Sequence, residues 1–267
     1  MTEYLQRADG RIAYDVTGEG PLVLCIPGMG ELRSAYRATV PALAAAGYRV
    51  ATMDLRGHGD SDPTFPRYDD VAAGEDALAL VEHLGGPAVL LGNSMGAGAA
   101  AWAAAERPDL VSGLGLLGPF VRNPPTSAVM SVLFRVLMAP LWARLAWTGY
   151  LPSLSPGRKP EDFAEHRRAI SESMRRPGYA RAFSRTTRTT HAPVEARLDE
   201  VHQPVLVVMG ERDPDFADPA AEAQWIGERL AARVLLVPDA GHYPQTECPE
   251  VVNPALVEFC ASVVPRA

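Results

Sequence analysis

Two hydrophobic rhythms alternate along this chain. Short strand-like runs fall at 21–26, 88–91, 111–117 and 205–209, and the first is continuously apolar, the pattern of a strand covered on both sides. Further strand patterns fall at 11–16, 48–53 and 233–237. Between them lie stretches with helical spacing at 32–46, 70–84, 95–106, 219–230 and 249–263. Glycines close several of these, Gly47 after the first and the pair Gly85-Gly86 after the second, as helix stops do. Strands separated by helices of this length imply right-handed crossovers and an α/β fold, with a mainly parallel central sheet flanked by helices.

The rhythm stops between about 120 and 190. The first half of this segment is apolar and aromatic, with Phe134, Leu137, Met138, Leu141, Trp142, Trp147 and Tyr150. Its most apolar stretch, 128–151, is broken by Arg135, Pro140 and Arg144. A membrane span needs about 20 uninterrupted apolar residues, so the stretch reads as buried helices. The second half carries nine basic residues against four acidic ones, a local +5 in a chain of net charge −7. A solvated helix face accounts for such arginines; a positive rim that attracts anionic substrates is the sharper alternative. The segment reads as a helical lid inserted into a core, dividing the chain into core (1–119), lid (120–190) and core (191–267).

Composition narrows the function. With 47% hydrophobic and 21% charged residues the chain reads as soluble and globular, and its acidic balance argues against a nucleic-acid platform. Cys25, Cys248 and Cys260 are odd in number and form no C-x-x-C pair, which argues against a disulfide framework or a cysteine zinc site. Residues 1–20 contain no apolar signal segment, so the cytoplasm is the expected location. Nothing in the pattern indicates an oligomeric state.

The strongest chemical signal is Gly92-Asn93-Ser94-Met95-Gly96, set between a predicted strand and an Ala/Gly-rich predicted helix. A serine on such a turn has its hydroxyl pushed out above the strand end, and the helix that follows points its N–H groups at charge developing there. Serine needs a base, and the base needs a carboxylate to orient it. Of six histidines, His242 follows the last predicted strand, at the sheet edge where sites form in parallel sheets. Asp213 follows the strand at 205–209 in the same way. His58 reads as a loop residue bonded to its own turn, and His83, His166, His191 and His202 as solvated surface residues. Gly28-Met29-Gly30 lacks the third glycine of a dinucleotide loop, and no phosphate-loop motif exists. Cys25, ending a core strand, reads as a small buried apolar residue.

Taken together, these motifs resemble the α/β-hydrolase superfamily over nearly the whole chain: the G-x-S-x-G turn, the order Ser94, Asp213, His242, the D-x-R-G-H-G-x-S loop beginning at Asp54, and the insertion position. The resemblance implies Ser94 as nucleophile, His242 as base and Asp213 as acid. Asp215 and Asp218 are close competitors for the acid, and Glu211 is a weaker one. It implies an oxyanion hole from the N–H groups of Met29 and Met95, although Pro27-Gly28-Met29-Gly30 replaces the usual His-Gly of that loop. It also absorbs Asp54, His58 and Asp60, which look like a metal cluster on paper, so neither metal nor cofactor is expected. The nearest branches by motif are the lid-bearing esterases, lactonases and carbon–carbon hydrolases. The expectation is a cofactor-free serine hydrolase of esters or lactones of small to medium apolar substrates. The alternatives are a carbon–carbon hydrolase, acyl transfer or perhydrolysis in the same site, and a non-catalytic ligand receptor. Because the apolar lid residues outnumber what a small insertion can bury, Leu137, Met138 and Trp142 are expected to line the substrate pocket beside Met29 and Met95.

Overall fold

The computed structural model describes residues 1–123 and 128–264; residues 124–127 of the expected lid lie outside them. Among the described residues eight strands form one sheet: β1 (Glu3–Arg7), β2 (Gly10–Thr17), β3 (Leu22–Ile26), β4 (Arg49–Met53), β5 (Ala88–Asn93), β6 (Val111–Leu117), β7 (Val205–Gly210) and β8 (Arg233–Val237). Their order is β1-β2-β4-β3-β5-β6-β7-β8, antiparallel at β1–β2 and β2–β4 and parallel elsewhere. β1 escapes the sequence pattern because it is an edge strand with only Leu5 buried, too little to register as an apolar run.

The all-apolar strands now have their reason. In β3, Leu22, Leu24 and Ile26 face one core while Val23 and Cys25 face the other. The first core is closed by α2 (Asp70–His83), α3 (Met95–Glu106) and α9 (Pro219–Arg229), with α8 (Ala192–Glu195) packed on α2 and α3. The second is closed by α1 (Thr39–Ala45) and α11 (Pro249–Val263). Burial on both faces removes any need for polar alternation. Cys25, Cys248 and Cys260 are buried free thiols, and burial pushes the Cys25 thiol well up from its ordinary value.

The helix expected over 32–46 is two pieces, a 3₁₀ turn (Arg33–Tyr36) and α1. Pro41 has no N–H to donate to the preceding turn, so it is tolerated only near the start of a helix. Tyr36 is also pulled inward: its hydroxyl donates to the carbonyls of Ile26 (3.0 Å) and Leu91 (2.9 Å). That hydroxyl joins the C-terminal ends of β3 and β5, the edge from which the site is built.

Between β6 and β7 the chain forms α4 (Ala128–Leu137), α5 (Ala143–Tyr150), α6 (Phe163–Arg175) and α7 (Tyr179–Thr186). Met138, Ala143, Trp147, Leu151, Leu154, Ile170, Met174 and Phe183 form a third apolar cluster, tied to the rest of the molecule through Tyr243, Met29 and Leu32. The expectation of buried helices over 128–151 fails on one side. Val129 is 76% exposed and Leu141 86%, with Val132, Leu133, Val136 and Leu145 also exposed. These helices form a single layer, so only their inner face meets protein. Among the described residues no helix is long and apolar enough to cross a membrane.

His166 and His191, expected to be solvated, are instead paired with acids, the first fastening α6 and the second the chain just beyond α7. His166 Nε2 lies 2.6 Å from Glu31 Oε2, and His191 Nδ1 lies 2.6 Å from Asp70 Oδ2. Both acids are almost fully buried, so each requires such a partner. His83 meets the Tyr14 hydroxyl at 3.1 Å, and His202 is exposed as expected.

The Tyr36 bridge sets a test. Tyr36→Phe leaves two buried carbonyls without their donor and should lower unfolding stability by about 1–3 kcal/mol. Urea denaturation measures this; an unchanged midpoint at constant slope would show that the bridge contributes nothing.

Candidate active site

Ser94 stands between β5 and α3 with φ 56° and ψ −123°, a conformation an L-residue rarely adopts. The turn is this sharp because the chain passes within touching distance of itself. A Cβ on Gly92 would stand 2.3 Å from the Gly96 carbonyl oxygen, and one on Gly96 2.3 Å from the Ile26 carbonyl oxygen. Only glycine fits either place. The Ser94 N–H donates to the Leu117 carbonyl at 2.9 Å. The Asn93 side chain donates to Leu117 O at 3.0 Å and His242 O at 3.2 Å, drawing β5, β6 and the histidine loop together.

Asp213 lies in the loop after β7 and His242 in the loop after β8, and both are buried. His242 Nδ1 is 2.7 Å from Asp213 Oδ2. The competing acids are placed differently. Asp218 caps α9 by accepting from Ala221 N at 2.9 Å, and Glu211 is exposed. Asp215 does reach the histidine, but on its other nitrogen: its Oδ2 lies 3.8 Å from His242 Nε2, while its Oδ1 accepts from the Tyr150 hydroxyl at 2.6 Å. Burial disfavours a charged imidazole, yet Asp213 and then Asp215 outweigh it and lift His242 from 6.5 to about 9. Ser94 Oγ and His242 Nε2 border the same cavity without a hydrogen bond between them, and such pairs commonly close only around a substrate.

Glu247 holds the histidine loop. Its two oxygens accept from Gly241 N (2.8 Å) and Tyr243 N (2.9 Å), the peptides flanking His242, whose own N–H donates to Leu154 O at 2.8 Å. Burial raises the Glu247 carboxyl above its ordinary value, with those two N–H bonds opposing. No sequence spacing marks this role; it exists only because α10 (Pro244–Glu247) folds back under the loop.

The loop after β3 runs beside Ser94, so close that a Cβ on Gly28 would be 2.8 Å from Ser94 Cβ. It lacks the customary histidine, and His58 supplies a brace from another loop. His58 Nε2 accepts from Gly30 N at 3.0 Å, while Nδ1 faces its own turn at Arg56 O, 2.9 Å away. The second contact makes Nδ1 the protonated nitrogen, and burial holds the ring's pKa below 6.5, which keeps Nε2 free to accept. Trp147 Nε1 donates to Gly30 O at 3.0 Å, so Gly30 is held through both its N–H and its carbonyl. Among the described residues the N–H groups of Met29 and Met95 donate to no protein acceptor. Met95 opens α3, where first-turn N–H groups are unpaired by construction.

Ser94, Met29, Met95 and His242 border a cavity of about 590 Å³, walled by Phe120, Phe134, Trp147, Tyr150 and Tyr243. Phe120 is fixed by stacking on Phe216 (centroids 4.8 Å) and His191 (5.4 Å). Leu137, Met138 and Trp142, expected here, do not border it. Leu137 (49% exposed) and Trp142 (41%) face outward, and Met138 is buried in the third cluster against α5. The helical period is the cause: the inward face of α4 is the one bearing Met130, Phe134 and Met138, and only its first part reaches the cavity.

Asp54 and His58 are spent on other partners: Asp54 on Arg33 and on the N–H of Asp60, His58 on Gly30. Among the described residues, Asp213, Asp215 and His242 are the group close enough to share a cation, with ligand-capable atoms within 4.8 Å of one another. Asp213 and His242 already face each other there, which leaves a lone carboxylate and a cationic ring, a poor donor set for a metal.

Comparison with known proteins agrees with this geometry. The family model described as "Alpha/beta hydrolase family" matches residues 23–255, and the chain belongs to that family. It is 32% identical to the dihydrolipoyllysine-residue acetyltransferase component of the acetoin cleaving system of Pseudomonas putida, over 92% of this chain and 65% of that protein. It thus spans about two thirds of that relative's length. It is 29% identical to 2-(acetamidomethylene)succinate hydrolase of Mesorhizobium japonicum, over 94% and 92% of the two chains. Among solved structures, a thermophilic esterase from Thermogutta terrifontis superposes with a TM-score of 0.75 at 25% identity, covering 98% of this chain and 99% of that one.

The charge balance around His242 yields a direct measurement. Its ring should titrate near 9 by NMR, being cationic below that pH and neutral above. Asp215→Asn removes one of the two carboxylates that favour the cation, so the midpoint should fall. A midpoint that Asp215→Asn leaves in place would show that Asp213 alone sets it.

Proposed function

We propose that this protein is a cofactor-free serine hydrolase of carboxylic esters or lactones, with Ser94, His242 and Asp213 as its triad and residues of about 120–190 as its lid. One observation carries the reading: a serine held at positive φ opens onto the same cavity as a histidine paired with a buried aspartate, beside two N–H groups that lack acceptors. The names of the relatives, a hydrolase, an acetyltransferase component and an esterase, support acyl chemistry in that cavity.

In this mechanism Ser94 Oγ attacks the ester carbonyl carbon as His242 Nε2 takes its proton. Asp213 holds the imidazole in the tautomer with Nδ1 protonated and stabilises the imidazolium. The carbonyl oxygen becomes an oxyanion between Met29 N–H and Met95 N–H, each worth about 3–4 kcal/mol in the transition state. His242 then protonates the departing alcohol, and water attacks the acyl-enzyme with His242 as base. The base must be neutral, so kcat/KM should rise with pH toward about 9, and Asp215→Asn should move that limb down.

A serine-directed phosphonate should add its mass to the peptide containing Ser94, and Ser94→Ala should abolish both labelling and hydrolysis of p-nitrophenyl esters. Labelling that survives in Ser94→Ala would overturn the assignment. Asp213→Asn should lower kcat by about 10⁴-fold through the wrong tautomer, and activity should persist after EDTA treatment and dialysis. A loss restored by one specific divalent ion would contradict the cofactor-free reading.

The cavity walls predict acyl-chain preference. Each methylene buried contributes about 0.8 kcal/mol, roughly fourfold in kcat/KM, until the cavity is full. Phe134→Ala should shift the optimum to longer chains, whereas Trp142→Ala, which faces outward, should leave it in place. The opposite pattern across an acyl series would place the pocket elsewhere.

A further inference from the structure

The outer face of α4 is apolar, and its few polar side chains border the cavity. A helix on a protein surface ordinarily turns apolar residues inward and charge outward. Here Val129, Val132, Leu133, Val136 and Leu137 face solvent. Arg135, the single charged residue of α4, and Ser131, its single hydroxyl, border the cavity that contains Ser94. They sit one turn apart, at i and i+4, and so reach the cavity border together. Arg135 is exposed, and it is also the charged residue that α4 brings to the border of the Ser94 cavity.

A different element brings a second arginine to the cavity. Arg188, just beyond α7, borders the same cavity, between Thr187 and Thr189. Among the described residues neither guanidinium has an ion-pair or hydrogen-bond partner, although most arginines of this chain are paired with an acid. Among the described residues the one acid bordering the cavity, Asp215, is engaged by Tyr150 and lies beside His242. Ser94 is buried while Arg135 and Arg188 are exposed, so the two cations stand at the rim and the aromatic walls lie between them and the nucleophile.

We propose that Arg135 and Arg188 form an anion-binding rim, and that the substrate is an ester carrying a carboxylate separated from the scissile carbonyl by a short apolar spacer. The spacer lies along Phe120, Phe134 and Trp147, and the carboxylate takes charge-assisted hydrogen bonds from the two guanidinium groups. This rests on the hydrolase reading above and adds the substrate class to it.

The test uses two p-nitrophenyl ester pairs of matched length: the half-esters of adipic and suberic acid, each against its neutral methyl-ester counterpart. A second set carries the carboxylate on the alcohol side. The charged member of at least one pair should have the higher kcat/KM, by about tenfold at low salt, and the preference should shrink as salt is raised. Arg135→Gln and Arg188→Gln should each erode it by raising KM for the charged esters more than for the neutral ones, and Arg135→Lys should restore part of it. Arg168→Gln, an exposed arginine of α6 away from the cavity, should change nothing. Neutral esters turned over by Ser94 with no preference for charge on either side would overturn the anion rim and leave the hydrolase reading standing. No Ser94-dependent turnover of any ester would overturn the hydrolase reading, and the rim with it.

Discussion

Everything near the site depends on how closely the end of β5 and the start of α3 approach β3. Where Gly92 and Gly96 pass each other and the Ile26 carbonyl, there is no room for even one methyl group. That contact forces the residue between them to positive φ and points its side chain out of the sheet edge. Hydrogen bonds from Ser94 N and the Asn93 amide to the end of β6 and to the His242 carbonyl then hold the turn against its strain. Strain of this kind persists only where the surroundings over-determine it. Here two strands, a helix and the histidine loop all converge on two residues.

Buried charge does the second share of the positioning. Glu247 spans the peptides on either side of His242, and Asp54 joins Arg33 in the loop after β3 to the turn at Asp60. An unpaired carboxylate in such places would be costly, so each fixes the geometry of what it binds. The same rule fastens the layer of α4–α7. Glu31 with His166 ties α6 to the loop after β3, Asp70 with His191 holds the chain just beyond α7 to α2, and Trp147 of α5 reaches the Gly30 carbonyl. The layer and the loop beside Ser94 are therefore mechanically one: a shift of α5 would move the Met29 N–H.

The sequence by itself determined the strand and helix order, the serine turn and the histidine and acid that follow the last strands. Each of those rests on short-range physics: continuous apolar runs for doubly covered strands, glycine where Cβ cannot fit, loops at the carboxyl ends of parallel strands. Tertiary structure decided the rest. Edge strand β1 owes its existence to a pairing partner rather than to its own pattern. The brace on the Met29 loop comes from His58, 28 residues beyond the Gly30 amide it binds, a distance no local motif encodes. Asp215 meets His242 only because two loops from adjacent strands meet. The residues that line the cavity depended on rotation about the axis of α4, where a turn of 100° per residue separates Phe134, facing in, from Leu133, facing out. Since α4 is apolar on both faces, its sequence contains no signal for which side meets the protein, and packing alone chose.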